Sequence, residues 1–417
     1  MKVLVLYKAL WGRRELKQSV LDHLNMFDGL AGSKDIIYWN VVDGVPSWLS
    51  KMSCDVVVLH TTLLSLRYGS EALYVYFRKR LQWMERDNTL KLAFPQDERY
   101  FNEYLQDWLN ALGGSVHLYS VFGKDSEVLN KIYPKLSSKV TVMPCLTGYI
   151  SDYDLSIEAS DWQKRRLDIL YRAKRLPPWV GRYGQLKTKI AEELIRICQK
   201  TSLNTDVSIE KKDIFLGRDW MNVLRESKYL IGCEAGGSAL DPNGLITKFS
   251  NQVKTRTGRF PSFNEIDDQF SKDWDGHEFR AMGPKNLEAV VSKTCQVLVA
   301  GEYSGVLVAN RHYIPVKEDL SDLDDVLSAL NDERGQQIAE TAYQEIALNK
   351  VFTYQGFISE VSDRIRLENP TAIINEEATF SVLYTRLCVL LNVIFDRFPK
   401  IFSLPHLAKL WMIQKMS

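Results

Sequence analysis

The chain has 417 residues, about three times the length of a typical domain, so a two-domain protein is the first expectation. Apolar residues make up 45% of it and charged residues 25%, a composition that excludes disordered, fibrous and disulfide-scaffold proteins. The formal net charge is +1, without the basic excess of a dedicated nucleic-acid binder, so we expect no nucleic-acid partner.

The first part of the chain alternates short apolar runs with amphipathic stretches. The runs predict strands at Lys2–Tyr7, Asp35–Trp39, Asp55–His60, Lys91–Phe94, Val116–Val121 and Val140–Cys145. The stretches between them predict helices at Glu15–Leu24, Leu73–Met84 and Asn102–Leu112. Short apolar strands separated by helices are typical of a parallel sheet that helices cover on both faces.

A polar, acidic stretch from Ile150 to Lys164 interrupts this pattern, which then resumes. Further strands are predicted at Leu167–Tyr171, Tyr229–Cys233, Cys295–Ala300 and Val306–Val308. Further helices are predicted at Leu186–Cys198, Leu323–Leu330, Gln337–Leu348, Phe357–Leu367 and Glu376–Phe395. The helix from Leu186 is the clearest, because its apolar residues recur with helical spacing.

Two successive patterns of similar size predict an α/β protein with two Rossmann-like domains and a C-terminal helical extension. We place the domains at residues 1–160 and 161–355, and the extension at 356–417, packing back on the N-terminal domain. Ligands of open α/β sheets bind beyond the carboxyl ends of the strands. We therefore expect one domain to bind a donor and the other an acceptor.

The most informative segment runs from Gly283 to Ala289. A glycine, a proline and a periodic run together predict a helix that begins near Pro284, whose free N–H groups would favour an anion. Lys285 and Glu288 are three residues apart, so they share one helical face. A cation for phosphate and a carboxylate for sugar hydroxyls would then project together; the alternative is a capped surface helix with an ion pair.

This segment resembles the Pro-Arg/Lys-x-Phe/Leu-Glu-Ala element of the glycosyl transferases group 1 family, which has the GT-B fold. Other segments resemble the same family in the same order, in its surface-polysaccharide and spore-maturation-like branch. They are Gln96–Glu98, Asp168–Arg172 with Gly181–Lys187, Cys233–Asp241, and Gly301–Gly305 with His312–Pro315.

The resemblance implies a glycosyltransferase that uses a nucleotide-sugar donor, bound by the C-terminal domain. It implies that Glu288 holds the ribose hydroxyls and that either the Lys285 side chain or the backbone of Gly283–Lys285 faces the diphosphate. Lys187 and Arg182 would neutralise the leaving group, because fixed cations stabilise developing negative charge without a metal. For both residues the alternative is a solvated surface cation.

Several residues are weaker candidates for the donor site. The turn Gly236-Gly237-Ser238 would expose backbone N–H groups to phosphate or sugar, unless it is only a tight loop. Glu234 would bind donor sugar hydroxyls, and Arg172 would line the same cleft.

Candidates in the N-terminal domain are His60, Asp97, Glu98, Gly148 and Tyr149. His60 ends a predicted strand, where it would contact the donor or the acceptor, or else be a structural imidazole. Asp97 or Glu98 would take the acceptor's hydroxyl proton as a general base, the alternative being a helix-capping carboxylate. Gly148, which precedes Tyr149, would allow a close backbone approach beside the cleft.

The chain departs from the family at one position. The related E-x7-E pattern puts a carboxylate eight residues before Glu288, where this chain has Arg280. The expected activity is retaining and metal-independent transfer of a sugar to a hydroxyl of a glycan or lipid-linked acceptor in polysaccharide biosynthesis. The alternatives are a GT-B epimerase, a phosphorylase, or a catalytically silent protein that binds a nucleotide sugar.

No metal and no cofactor other than the donor substrate are expected. The cysteines form no Cys-x-x-Cys pair and the histidines show no ligand spacing, while Asp152-Tyr153-Asp154 matches a metal-binding Asp-x-Asp pattern outside a donor-site context. Without a signal peptide or a long apolar run we expect a cytoplasmic protein. The tail Arg397–Met416, amphipathic and mildly basic, would contact an anionic membrane or dock on the N-terminal domain.

Overall fold

The structure, a computed structural model, describes residues 1–10, 12–13, 16–30, 35–215 and 218–368. The chain divides into two compact units. Of the described residues, unit 1 comprises those in Met1–Cys145, Asp241–Gly244 and Ile358–Glu368, and unit 2 comprises those in Leu146–Leu240 and Leu245–Phe357.

Unit 1 is built on a six-stranded parallel sheet with the strand order β2-β1-β3-β4-β5-β6. Its strands are β1 (Val3–Tyr7), β2 (Ile36–Asn40), β3 (Val56–Leu59), β4 (Leu90–Ala93), β5 (Val116–Ser120) and β6 (Val140–Pro144). Its helices up to Cys145 are α1 (Gln18–Asn25), α2 (Thr61–Leu64), α3 (Glu71–Arg80), α4 (Asn102–Ala111) and α5 (Ser126–Ile132). Strands β1 to β5 are buried along their whole length, which explains why most of their residues are apolar.

A short segment from later in the chain, Asp241–Gly244, pairs with the residues just before α4. The amide of Phe101 donates to the carbonyl of Asp241 at 2.8 Å, and the amide of Asp241 donates to the carbonyl of Arg99 at 3.0 Å. Gly244 has a φ of +74°, and a Cβ added there would lie 1.9 Å from the Phe101 ring. Only glycine therefore fits this contact.

Unit 2 contains a five-stranded parallel sheet and a small antiparallel one. The strands are β7 (Leu167–Arg172), β8 (Thr205–Ser208), β9 (Ser227–Gly232), β10 (Ala235–Gly237), β11 (Phe279–Ala281), β12 (Cys295–Val299) and β13 (Tyr313–Val316). The large sheet has the order β13-β12-β9-β7-β8, and β10 pairs with β11.

The helices of unit 2 fall on both faces of the large sheet. They are α6 (Asp152–Leu155), α7 (Leu186–Cys198), α8 (Asp219–Arg225), α9 (Leu245–Thr257), α10 (Phe263–Asp267), α11 (Pro284–Val291), α12 (Leu323–Ser328) and α13 (Asp332–Ala342), followed by a π-helical turn at Tyr343–Ala347. Because strand side chains alternate, Ile169 and Tyr171 of β7 pack with α7, α12 and α13, whereas Leu170 packs with α8 and α11. The last described helix, α14 (Tyr354–Glu368), spans the division between the units.

The α/β class with two Rossmann-like units is confirmed. The division falls between Cys145 and Leu146 rather than at residue 160, because the residues after Cys145 attach to unit 2. There the Thr147 hydroxyl donates to the carbonyl of Met282 at 2.6 Å. Of the predicted extension, Ile358–Glu368 groups with unit 1; the predicted helix Glu376–Phe395 and the tail Arg397–Met416 lie outside the described residues.

Two strand predictions differ from the structure. Val306–Val308 lies in a loop, and the last strand is Tyr313–Val316. β8 was not predicted, because its residues Thr205–Ser208 are mostly polar and all half-buried, without an apolar run. An apolar run of three residues does not distinguish a strand from a loop.

Candidate functional site

The large sheet of unit 2 has a topological switch point between β7 and β9. The chain moves from β7 to β8 on one side and then returns to β9 on the other side of β7. Connections leaving β7 and β9 therefore diverge, which opens a crevice at the carboxyl ends of these strands, the usual ligand position in open α/β sheets. Arg172 is the last residue of β7, and Cys233 and Glu234 follow β9.

Two lysines lie near this crevice, each as the second residue of a helix. Lys187 belongs to α7 and Lys285 to α11. Burial raises the pKa of the Cys233 thiol, and the positive charges of both lysines oppose this rise, so both lie near the end of β9. Both side chains thus lie where two helices present their positive N-terminal ends.

The ammonium of Lys285 is enclosed although the residue as a whole is exposed. Its Nζ donates a hydrogen bond to the carbonyl of Arg172 and lies 4.8 Å from the centre of the Trp220 ring. Burial, together with the positive charge of Lys187, lowers the pKa of Lys285 to about 8. Among the described residues, neither lysine forms an ion pair with a carboxylate.

Glu288 lies one turn along α11 from Lys285, on the same face. Its Oε2 accepts a hydrogen bond from the indole Nε1–H of Trp220 at 2.7 Å. The Glu288 charge opposes the lowering of the Lys285 pKa, so the two side chains are electrostatically coupled. The predicted juxtaposition of a cation and a carboxylate is therefore present.

Arg172 is fixed from two sides. Its guanidinium pairs with the carboxylate of Asp206 on β8, and it lies 5.2 Å from the centre of the Phe215 ring. The Phe215 and Trp220 rings are 6.4 Å apart. Arg172 thus borders the crevice, with its charge balanced by Asp206.

Glu234 and the residues after it do not form the predicted turn. Glu234 is buried, burial raises its pKa, and its Oε1 accepts from the Tyr303 amide at 2.6 Å. Gly236 and Gly237 lie in β10, where a Cβ on Gly236 would be 1.9 Å from the carbonyl oxygen of Phe279. Ser238 accepts from the Tyr183 amide at 3.0 Å. Gly236 and Gly237 therefore lie in a short strand, where the sequence predicted a turn.

Arg182 and Arg280 are both engaged by acidic side chains. Arg182 donates to Asp275 at 2.9 Å and to Asp267 at 2.6 Å. Arg280 forms two hydrogen bonds of 3.1 Å with Glu318 and lies 4.3 Å from the centre of the Tyr183 ring. The sequence predicted that Arg182 and Lys187 together neutralise the leaving group. In the structure the guanidinium of Arg182 is instead paired with two carboxylates.

The start of α11 is held by packing. Gly283 precedes the helix, and its amide donates to the side chain of Asn286 at 3.0 Å. A Cβ on Gly148 would lie 3.3 Å from the Pro284 ring, so Gly148 permits this close approach. The Tyr149 ring stacks on Phe357, with 4.4 Å between the ring centres, and its hydroxyl accepts from the Leu146 amide at 3.0 Å. Tyr149 is therefore half-buried and packs within unit 2.

Three of the five N-terminal candidates, His60, Asp97 and Glu98, belong to unit 1, and His60 and Glu98 are buried there. The ring of His60 is 0% exposed, with Nε2 3.0 Å from Nδ1 of His23 and Nδ1 accepting from the Thr62 amide at 3.2 Å. Burial lowers the pKa of both imidazoles, that of His23 to about 4. Both ring nitrogens of His60 are thus engaged inside unit 1. This arrangement favours a structural imidazole over a residue that contacts the donor or the acceptor.

Glu98 is also fully buried. It accepts hydrogen bonds from Ser120, Tyr133 and the Val121 amide, and burial raises its pKa to about 7. Asp97 beside it is exposed and has a left-handed backbone with a φ of +51°. Of the two carboxylates, only Asp97 is accessible to an acceptor.

Within the described residues, no group of three or more His, Cys, Asp or Glu side chains has an arrangement that could hold a metal ion. Of the Asp-x-Asp pair, Asp154 is engaged by the Ser151 hydroxyl at 2.7 Å and by Arg225 at 3.4 Å. In the same part of the chain, no helix combines the length and apolar character needed to cross a membrane.

Sequence reasoning missed Trp220, Phe215 and Asp206, which surround Lys285 and Arg172. None lies in a recognisable motif, and Trp220 is 68 positions from Glu288 along the chain. A possible signal was the pairing of aromatic residues in a polar stretch just before a buried strand.

No protein-family model matches the chain, and no curated protein matches it. Among solved structures, it is similar to an alpha-glucosyltransferase (AGT) in complex with UDP, with 11% identity, a TM-score of 0.47, and coverage of 88% of this chain and 99% of that one. It is similar to HepE from Anabaena in complex with UDP-glucose, with 12% identity, a TM-score of 0.46, and coverage of 89% and 100%. It is also similar to TarM, with 11% identity, a TM-score of 0.39, and coverage of 83% and 57%.

Proposed function

We propose that this chain is a glycosyltransferase whose second unit binds a nucleoside diphosphate sugar through Lys187, Lys285 and Glu288. The observation that carries the proposal is the pair of lysines at two helix N-termini beside the switch point of the sheet. Two ammonium groups that repel each other, neither of them in an ion pair with a carboxylate of the described residues, complement a diphosphate. Glu288 would receive the ribose hydroxyls.

The chemistry follows from the charge that develops during transfer. When the bond from the anomeric carbon to the diphosphate oxygen breaks, negative charge grows on that oxygen, and preorganised cations stabilise it. Lys187 and Lys285 supply these charges, so we propose a metal-independent reaction. Asp97 is the candidate base for the acceptor hydroxyl of a glycan, and retention of configuration remains part of the proposal.

A nucleotide-binding protein without transferase activity is the second candidate. It is favoured by Arg280, which stands where the family resemblance expects a carboxylate and is held there by Glu318 and Tyr183. Release of the nucleoside diphosphate from the donor in the presence of an acceptor distinguishes the two candidates.

The first experiment is a thermal-shift screen with UDP, GDP, ADP, dTDP and CMP, since a ligand stabilises the state it binds. The best ligand is then titrated against Lys187→Ala and Glu288→Ala by calorimetry. We expect Glu288→Ala to weaken nucleotide binding by about tenfold or more, because it removes charged hydrogen bonds. Lys187→Ala should lower the rate of transfer more than nucleotide affinity.

The matched control is Lys189→Ala, which removes an exposed lysine from the same helix as Lys187. It should leave both binding and rate unchanged. A protein that no nucleotide stabilises, or equal effects of the Lys187 and Lys189 variants, would contradict the proposal.

A further inference from the structure

The side chain of Trp220 contacts both Lys285 and Glu288. Its indole N–H donates to Oε2 of Glu288 at 2.7 Å, and its ring centre is 4.8 Å from Nζ of Lys285. The indole therefore contacts both the Lys285 ammonium and the Glu288 carboxylate, which are about one helical turn apart on α11.

The geometry explains why these two charges do not neutralise each other. A lysine and a glutamate three residues apart on a helix commonly form an ion pair. Here no such pair forms within 4.0 Å in the described part of the chain. The ammonium lies over the ring and also donates to the carbonyl of Arg172, while the carboxylate accepts from the N–H at the ring edge. A cation over an indole face and a carboxylate on its N–H are both favourable, so the separation is stable.

We infer that Trp220 is a positioning residue that keeps Lys285 and Glu288 apart and oriented for the diphosphate and the ribose. The inference rests on the proposed function, and it adds a residue outside every motif in the sequence. The indole N–H acts on the nucleotide through Glu288, so its loss should affect donor binding more than the chemical step.

Two substitutions separate the contributions of the indole. Trp220→Phe keeps a ring under Lys285 but removes the N–H, and it should raise the Kd of the nucleoside diphosphate and the KM of the donor by about tenfold, with kcat changed less than about twofold. Trp220→Leu removes the ring as well and should weaken binding further. The control Trp83→Phe removes an indole N–H that has no hydrogen-bond partner among the described residues, and it should change neither constant.

A double-mutant cycle tests whether Trp220 acts through Glu288. In a Glu288→Ala background, Trp220→Phe should add less than about twofold to the Kd, because the side chain it orients is absent. The same loss in both backgrounds, or no loss in the wild type, would overturn the inference. Should Trp220→Phe unfold, Trp220→Tyr serves in its place in the same cycle, with thermal unfolding as the check.

The outcomes also separate this inference from the proposed function. If Glu288→Ala weakens nucleotide binding and Trp220→Phe does not, only the role of Trp220 fails. If no nucleoside diphosphate binds the wild-type protein, the proposed function fails and the role of Trp220 fails with it.

Discussion

Nucleotide binding should weaken as the pH rises through the pKa of Lys285. Burial and the neighbouring Lys187 lower this pKa to about 8 in the free protein, and a bound diphosphate should raise it again because it favours the charged form. With a pKa of about 8, roughly nine-tenths of the lysine is protonated at pH 7 and roughly one-tenth at pH 9. If binding needs the ammonium, the Kd should rise by up to about tenfold over this range.

Tenfold is an upper limit, because part of Lys285 is exposed and water reduces the effect of burial. The assay is calorimetry between pH 7 and 9.5 at constant ionic strength, since screening also changes phosphate binding. A phosphate group has its second pKa near 6, so the ligand charge is nearly constant over this range.

Lys285→Arg is the decisive variant, because a guanidinium stays charged throughout. Its Kd should be independent of pH above 7, whatever its absolute value, while Lys189→Arg should keep the wild-type profile. A wild-type Kd that does not change with pH, or one that changes equally in Lys285→Arg, would refute the reasoning.

Two further predictions concern stability. Arg165 is buried and donates to the carbonyls of Ser227, Ser292 and Lys293. Arg165→Met should therefore lower the free energy of unfolding, measured with urea, by about 3 kcal/mol. The control Arg166→Met, at the exposed neighbour, should lower it by less than about 0.5 kcal/mol. An equal cost at both positions would contradict this. Burial raises the pKa of Glu98 from 4.5 to about 7, so the folded protein binds a proton that the unfolded chain has lost, and stability falls as the pH rises through this window. Glu98→Gln should remove this loss of unfolding free energy, which is at most about 3 kcal/mol. Both proteins contain the buried histidines, whose effect is opposite, so the difference in unfolding free energy between variant and wild type isolates Glu98. A difference that does not change with pH would contradict the prediction.

Buried parallel strands were predictable because they are nearly continuous apolar runs. β1, β3 and β9 start and end within two residues of their predicted bounds, whereas β8 has no apolar signal and β10 and β11 are too short for a period. Local patterns carry information about residues that face the core, and much less about edge strands and three-residue ladders.

The candidate site was predictable where it depends on one helix. The start of α11 and the shared face of Lys285 and Glu288 follow from local spacing. The ion pairs of Arg182 were not predictable, because its partners Asp267 and Asp275 lie 85 and 93 positions further along the chain. Long-range pairs of this kind leave no periodic pattern in a sequence.

The route of the chain has a consequence for how the protein is made. Unit 1 begins at Met1, but it also contains Asp241–Gly244 and the end of α14, where Ile358 lies against Gly29 and Glu368 pairs with His117 at 2.7 Å. A ribosome delivers Asp241–Gly244 after about half of unit 2 and the end of α14 only after all of it. The sheet of unit 1 is therefore synthesised first but is not covered by the end of α14 until much later. A gene fragment ending near residue 160 would lack these parts of unit 1 and would not form a complete domain.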